Sequence, residues 1–207
     1  MIRIRLDGIF ALAPQAQEVY LRGFGCLSTA MTCFGISANA NRAAHFLSQV
    51  LHESDGLRVL DEDLYYTTAA RLMAVWPARF PTETSTRAFQ RNPEALAEKV
   101  YGGRMGNARP GDGWLFRGRG PMQVTGHDNY RAVSRLLDVD FVAHPELVLT
   151  ESYVWPVACA MWRIDGGNAA ADKDDVRAVT QAINGGLTGF ASRKGWLEKT
   201  RAVVEVA

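Results

Sequence analysis

Cysteine is scarce in this 207-residue chain, and the three present, Cys26, Cys33 and Cys159, form no C-x-x-C pair. An odd count without that spacing argues against a disulfide framework and against a zinc site, and it suits a reducing compartment. No apolar run reaches the ~18 residues that a membrane helix needs, so no stable membrane anchor is expected. Repeats, low-complexity tracts and an obvious linker are also lacking. Neither sign of charge dominates: the net charge is +1, which gives no global reason to expect nucleic acid as a partner. The opening MIRIRLDGIFALA imitates an export signal and ends in Ala11-Leu12-Ala13. Arg3, Arg5 and Asp7 interrupt it, however, and its apolar segment is too short. No classical export signal is therefore expected, which puts the protein in the cytoplasm of the cell that makes it. At 47% hydrophobic and 22% charged, the composition is that of a soluble globule long enough to bury a core unaided.

What is present is organised around residues 45–66, HFLSQVLHESDGLRVLDEDLYY. Phe46, Leu47, Val50 and Leu51 recur at helical spacing and predict one buried helix face. His52 and Glu53 arrive at the end of that run, and Ser54-Asp55-Gly56 reads as a turn. Beyond it come Asp61, Glu62 and Asp63, then Tyr65 and Tyr66. A carboxylate at the end of a buried helix and another past a turn are placed to line two sides of one cleft. General acid/base hydrolysis of a glycosidic bond needs such a pair. Taken alone, the same residues also fit a solvated helix end and a polar loop. His45, Gln49 and His52 share a helix face, yet HESDG is not H-E-x-x-H. Core or supporting histidines are expected there, with no metal and no cofactor.

The rest of the pattern is helical. Residues 1–13 read as a tail or short arm. Pro14 suits a helix start, and a second short helix spans 26–34 with Gly35 as its stop. Ser37 or Asn39 is the candidate cap of the helix that carries Glu53. Residues 55–66 read as loop, with a short strand at 57–60. A brief helix at 68–75 ends at Trp76-Pro77, and a weaker one covers 82–90. Asn92-Pro93-Glu94 combines a cap, an N-terminal proline and an acid in the first turn, and this helix ends at Gly102-Gly103. Residues 103–120 read as loop and 122–124 as a very short strand. Thr125, with Asp128 three residues on, resembles a capping box for a helix through Leu137. Later helices are expected at 151–164, with a kink or late start at Pro156, from Asp172 through Ile183, and at 190–204. The fold class expected is mainly α: a single domain, 1–207, made of an N-terminal helical extension (1–35) and a core (36–207), with at most a small β-hairpin.

Charge is uneven along the chain. Arg104, Arg109, Arg117, Arg119, Arg131 and Arg135 face only Asp112 and Asp128 between 101 and 135, whereas Asp165, Asp172, Asp174 and Asp175 face only Lys173 between 165 and 175. The basic stretch lacks aromatic alternation and any nucleic-acid motif, so no nucleic-acid partner is expected. Within it lies WLFRGRGPMQVTGHDNY, residues 114–130. Gly118 and Gly120 allow backbone to approach a ligand closely. Gln123, Thr125 and Asn129 add neutral hydrogen-bonding groups suited to sugar hydroxyls and acetamido groups. A solvated loop and a plain helix cap are the competing readings of the same residues.

Several segments together resemble the family 19 glycoside hydrolases, which include plant chitinases and many bacteriophage endolysins. They are HES at 52–54, Glu62, RGRGPMQVTG at 117–126 with Asn129-Tyr130, and INGGL at 183–187 with Arg193. Residues 100–120, VYGGRMGNARPGDGWLFRGRG, resemble the endolysin branch in particular. The resemblance covers roughly residues 35–200, and the motifs are specific in combination and in this order. It implies a lysozyme-like, two-lobed helical fold and an inverting hydrolysis by two glutamates. Glu53 then matches the general acid, Glu62 the general base, and Thr125 the hydroxyl residue that helps hold the attacking water. His52, Gln123, Asn129, Ile183, Asn184 and Arg193 match substrate-contacting or supporting positions. Two departures stand out: the disulfides of the plant enzymes are absent, and Thr188 stands where those enzymes carry a glutamate shortly after NGGL.

The resemblance implies cleavage of β-1,4 bonds in peptidoglycan by an endolysin-type monomer that reaches the cell wall after release from the cytoplasm. A chitinase acting on a chitin-like polysaccharide shares the same acid/base machinery. A glycan-binding module without catalysis is the alternative from another class. Glu62, in a wetter loop with acidic neighbours, is expected to titrate lower than Glu53 unless Asp61 and Asp63 crowd it.

Overall fold

The two ends of the chain meet. In the computed structural model, which describes residues 2–206, β1 (Ile2–Ile4) pairs antiparallel with β2 (Val204–Val206), Ile2 opposite Val206 and Ile4 opposite Val204. Met1 and Ala207 of the expected 1–207 unit lie outside the described residues. The N-terminal stretch is therefore a docked strand and helix rather than a tail: α1 (Leu6–Leu12) buries Ile9 completely. Gly8 sits so close to Val203 that a Cβ there would lie 2.5 Å from Val203 Cγ1. The last helix accordingly stops at Arg201, short of the expected 204, because the terminal residues are taken up by this pairing.

α2 (Glu18–Arg22) and α3 (Phe24–Cys33) follow, and Gly35 ends the second in a left-handed conformation, φ 67°. α4 (Ala40–Glu53) is capped by Asn39, whose side chain accepts from Arg42 N; such a cap contributes about 1 kcal/mol. Its face of Ala43, Phe46, Leu47, Val50 and Leu51 is buried, as the spacing predicts. Ser54 Oγ bonds back to Val50 O at 2.6 Å and accepts from Leu57 N at 2.9 Å. Asp55, Gly56 and Leu57 are all left-handed, at φ 50°, 68° and 62°. Three such residues in succession make a sharp reversal, and two of them are not glycine. The fully buried side chain of Leu57 secures the turn. No strand forms at 57–60. The pairing comes slightly later, with Gly120 N donating to Leu60 O at 2.7 Å and Glu62 N to Gly118 O at 2.9 Å.

The chain then builds a second, smaller apolar cluster. α5 (Ala69–Val75), α6 (Glu83–Thr86), α7 (Pro93–Tyr101) and α8 (Asp112–Leu115) gather around Leu64, Leu72, Phe80, Leu96, Ala97 and Val100. Thr68, Thr82 and Asn92 cap the first three. α8 lies inside a stretch expected to be loop. Its start is made by Glu98, whose Oε2 accepts from the backbone of Gly111 and Gly113 at 3.2 and 3.0 Å, a partner distant in sequence. Residues 122–124 form an isolated bridge, Arg119 with Val124, instead of a strand.

α9 (His127–Leu137), α10 (Val154–Ile164), α11 (Gly167–Ala171), α12 (Val176–Asn184) and α13 (Phe190–Arg201) return to the larger cluster. α10 starts late, with Pro156 in its first turn, and its buried Trp155 donates to Tyr20 O at 2.9 Å. Asp175, and not Asp172, caps α12. Asp172 is instead held by Arg42 and Asn39. The fold is mainly α with two lobes, one around each cluster. The chain passes from the large lobe to the small one between Leu57 and Leu64, and returns between Trp114 and Phe116. Residues 60–62 and 118–120 run side by side next to these crossings, and both carry candidate site residues.

Candidate active site

Glu53 closes α4, and its Oε1 accepts from Arg193 Nη2 at 2.5 Å. Arg193, on α13, is 1% exposed and the Glu53 side chain 23%. The remaining donors of this buried cation are also engaged: Nη1 with Gln49 Oε1, and Nε with Thr188 O at 3.2 Å. Gln49 stands one turn before Glu53 on the same helix face. A guanidinium fixed at three acceptors holds the Glu53 carboxyl in one place. His52 Nδ1 meets Ser192 Oγ at 2.9 Å, and its ring lies against Gly189, where a Cβ would stand 2.4 Å from Nε2. Burial, and then the charge of Arg193, hold the His52 pKa below its ordinary value, so the ring is neutral at pH 7. Asp165, which follows α10, is a further carboxyl on this side; burial, and then the negative charge of Glu53, push it up to about 6.

Glu62 comes from the strap between the lobes. Tyr101, the last residue of α7, donates its hydroxyl to both Glu62 oxygens, at 2.6 Å to Oε1 and 2.8 Å to Oε2. Gly118 N approaches Oε2 at 3.4 Å. The expectation of a wetter, lower-titrating Glu62 is corrected here: its carboxyl is raised above the usual value. Burial is the largest cause, opposed by the Tyr101 and Gly118 hydrogen bonds. The charge of the neighbouring Asp61 adds a smaller upward push. Asp61 is drawn off by Arg117 Nη2, and Asp63 accepts from Tyr65 N at 2.8 Å.

Gly118 is the point on which the second motif converges. A Cβ built there would lie 2.7 Å from Gln123 Oε1, 3.1 Å from Thr125 Oγ1 and 3.3 Å from Glu62 Oε2. Three predicted site residues thus place polar oxygens around one bare backbone position. Gln123 takes a left-handed conformation, φ 49°, and its amide nitrogen donates to Gly120 O at 2.9 Å. Thr125 is not a helix cap. Its hydroxyl donates to Gln123 O at 2.9 Å, Gly126 occupies the cap position, and Asn107 Oδ1 accepts from His127 N at 2.9 Å in its stead. Asn129 supports the same turn through Thr125 O, at 2.9 Å.

The arginines of RGRG are internal. The Arg117 guanidinium lies 3.8 Å over the Trp114 ring, and Arg119 Nη1 donates to Leu115 O at 2.7 Å and to the Tyr130 hydroxyl at 2.8 Å. These two side chains are tied into the packing beside Gly118 and offer no solvated cationic face. Asn184 ends α12, exposed and without a side-chain hydrogen bond among the described residues. Ile183 packs against the large cluster. Of the three residues on the shared face of α4, His45 pairs with Asp174 at 2.9 Å, Gln49 with Arg193, and His52 with Ser192. Among the described residues, no three His, Cys, Asp or Glu side chains are grouped to hold a metal ion.

Tyr101 and Gln49 are the contacts that sequence reasoning missed. Gln49 had a signal, since it is four residues before Glu53 on a helix. Tyr101 had none, being 39 residues from Glu62 and at the end of another helix. Chemically, the arrangement offers two carboxyl groups in unlike settings, one on a buried cation and one buried under a phenol. Hydrogen-bonding oxygens for a sugar or a water stand beside the second.

Comparison with known proteins gives a consistent result. No family model matches the chain. A Haemophilus influenzae protein described as a glycosyl hydrolase family 19 domain-containing protein is 35% identical over 163 residues, which are 75% of this chain and 76% of that protein. An acidic endochitinase of Petunia hybrida is 31% identical over 106 residues, 42% of this chain and 39% of that enzyme. The crystal structure of a bacterial family 19 chitinase, 21% identical, superposes with a TM-score of 0.65 over 97% of this chain and 94% of its own. That last likeness is one of fold.

Proposed function

The chain belongs to glycosyl hydrolase family 19, and from that premise we propose that it cleaves β-1,4 bonds of bacterial peptidoglycan as an endolysin-type enzyme. In this reading Glu53 is the general acid and Glu62 the general base of an inverting displacement. The observation that carries the chemistry is the convergence of Glu62 Oε2, Thr125 Oγ1 and Gln123 Oε1 on Gly118, with Glu53 held separately by Arg193. Glu53 gives its proton to the glycosidic oxygen as the bond from the anomeric carbon breaks. A water held by Glu62 and Thr125 attacks that carbon from the opposite face and loses its proton to Glu62. The products are a new reducing end of inverted configuration and a free hydroxyl on the leaving sugar.

The choice of peptidoglycan rests on the endolysin-like stretch at 100–120 and on three free cysteines where the plant enzymes carry disulfides. Hydrolysis of chitin is the second reading, favoured by the chitinase names of the relatives. A digest of purified peptidoglycan beside soluble chitin, with the new ends read by mass spectrometry, separates them. New reducing ends from the wall are expected. Release of chitin oligomers with no action on the wall would move the protein to the chitinases, and action on neither would leave a binding module.

Gly118→Ala tests the cradle itself. The backbone at Gly118 is not left-handed, so the fold accepts alanine, but the methyl group displaces Gln123 and crowds Thr125 and Glu62. A misplacement of this size is expected to lower kcat/KM by about 10- to 100-fold with little change in unfolding temperature. Unchanged kinetics would show that the cradle is not used.

A further inference from the structure

Immediately past Glu62 the chain folds around a cavity of about 390 Å³, within the usual range of ligand pockets of roughly 300–1,000 Å³. It is lined by one continuous stretch: Asp63, Tyr65, Tyr66, Thr67, Thr68 and Arg71. Tyr66, in its lining, packs into the same apolar cluster as Tyr101, the residue that holds Glu62. The cavity therefore lies on the Glu62 side of the site. Tyr65 is 55% exposed, an aromatic face of the kind that stacks on a sugar ring. Arg71 is exposed, and its guanidinium makes no hydrogen bond or ion pair among the described residues; only its backbone N–H is used, by Thr68 Oγ1 at 3.3 Å. The one carboxylate in the lining, Asp63, is turned back on the N–H of Tyr65.

We propose that this cavity is a subsite for a sugar carrying a carboxylate substituent, with Arg71 as the residue that distinguishes a charged glycan from a neutral one. The inference rests on the peptidoglycan reading above and deepens it. The two candidate polymers share their linkage and their acetamido groups, so Glu53 and Glu62 are indifferent to the choice. They differ in charge. Every second sugar of the wall polymer bears a lactyl ether that ends either in a free carboxylate or in a peptide with carboxylates of its own, whereas chitin is neutral. A guanidinium is a planar fork that matches a carboxylate with two parallel hydrogen bonds. Tyr65 and the two threonines supply the face and hydroxyl contacts for the ring that bears it.

Arg71→Gln is the test, because the side chain is exposed and lies outside the acid/base machinery. Three substrates are needed: intact peptidoglycan, glycan strands stripped of peptide so that the lactyl carboxylates are free, and neutral N-acetylglucosamine oligomers. The expected result is a loss of about tenfold in kcat/KM on charged substrate, the scale of one charge-assisted hydrogen bond, with oligomer hydrolysis unchanged. Arg71→Lys should recover part of the loss, and Arg71→Glu should deepen it. Loss on the stripped strands alone assigns the lactyl carboxylate as the partner, loss on the intact wall alone assigns the peptide, and loss on both means that the guanidinium accepts either carboxylate. Equal loss on all three substrates, or no loss on any, overturns the subsite. Failure of the wild-type enzyme to cut either wall substrate while cutting the oligomers would overturn the peptidoglycan reading instead, and is seen before any variant is made.

Discussion

Glu53→Gln is expected to abolish hydrolysis while leaving the folded chain in place. Turnover should fall by about 10²–10⁴-fold, the usual cost of removing a positioned acid. Glutamine has the shape of the glutamate but no proton to give the leaving oxygen. The end of α4 does not depend on the carboxylate: Ser54 Oγ back-bonds to Val50 O, and Gly56 N donates to Leu51 O at 2.7 Å. Arg193 keeps Gln49 and Thr188 O and can donate to the new amide oxygen. What it loses is its one charged partner among the described residues, at 1% exposure. That should cost about 1–3 kcal/mol. For a chain of this length, about 2–4 °C of unfolding temperature goes with each kcal/mol. Calorimetry and oligosaccharide turnover on the same preparation check both halves. Near-normal activity would remove Glu53 from the role of acid.

Much of this site was legible in the residues, and what was not has a physical pattern. The helix that presents Glu53 follows from its apolar spacing and its Asn39 cap, both local features. The cap at Asn92 was equally local, whereas the brief helix expected from 68 starts one residue later, with Thr68 as its cap. Errors cluster where a distant partner overrides a local preference. Thr125 has the chemistry of a cap, but Asn107 meets the His127 N–H at that helix start, which frees the threonine hydroxyl for Gln123 O and the space beside Gly118. Residues 111–115 are rich in turn formers, yet the Glu98 carboxylate organises them into a helix turn. The arms at the two termini were unreadable for the same reason, since each strand exists only through the other.

The electrostatics were the least legible part. Asp61-Glu62-Asp63 reads as a solvated acidic loop, and from sequence alone Glu62 should titrate low. Folding sends the three acids to different places: Asp61 onto Arg117, Asp63 onto a backbone N–H, and Glu62 inward under Tyr101. Of these three carboxyls it is Glu62 that burial raises above its ordinary value. The family resemblance singled out both glutamates as candidates. It could not say that a tyrosine from the small lobe would hold one of them, because that contact is made by the packing of α7 against the strap.

Glu62→Gln and Tyr101→Phe are expected to differ in kind, and the comparison tests the base directly. Glu62→Gln removes the proposed acceptor of the water proton, so kcat/KM at pH values above the Glu62 pKa should drop by about 10²–10⁴-fold. Tyr101→Phe leaves the carboxylate in place but takes away its closest donor. The maximal rate should fall only about fivefold, the scale of one hydrogen bond near 1 kcal/mol. The pH dependence carries the sharper signal. A base works as its carboxylate, so activity is lost as pH falls through the Glu62 pKa, which burial already holds above the ordinary range. The Tyr101 hydroxyl opposes that rise, because its hydrogen bonds favour the charged form. Removing it must push Glu62 further up and move the acid limb of kcat/KM to higher pH, while Glu62→Gln should have no such limb in its residual rate. A limb that stays put in Tyr101→Phe, or one that survives in Glu62→Gln, would mean that another group takes the proton.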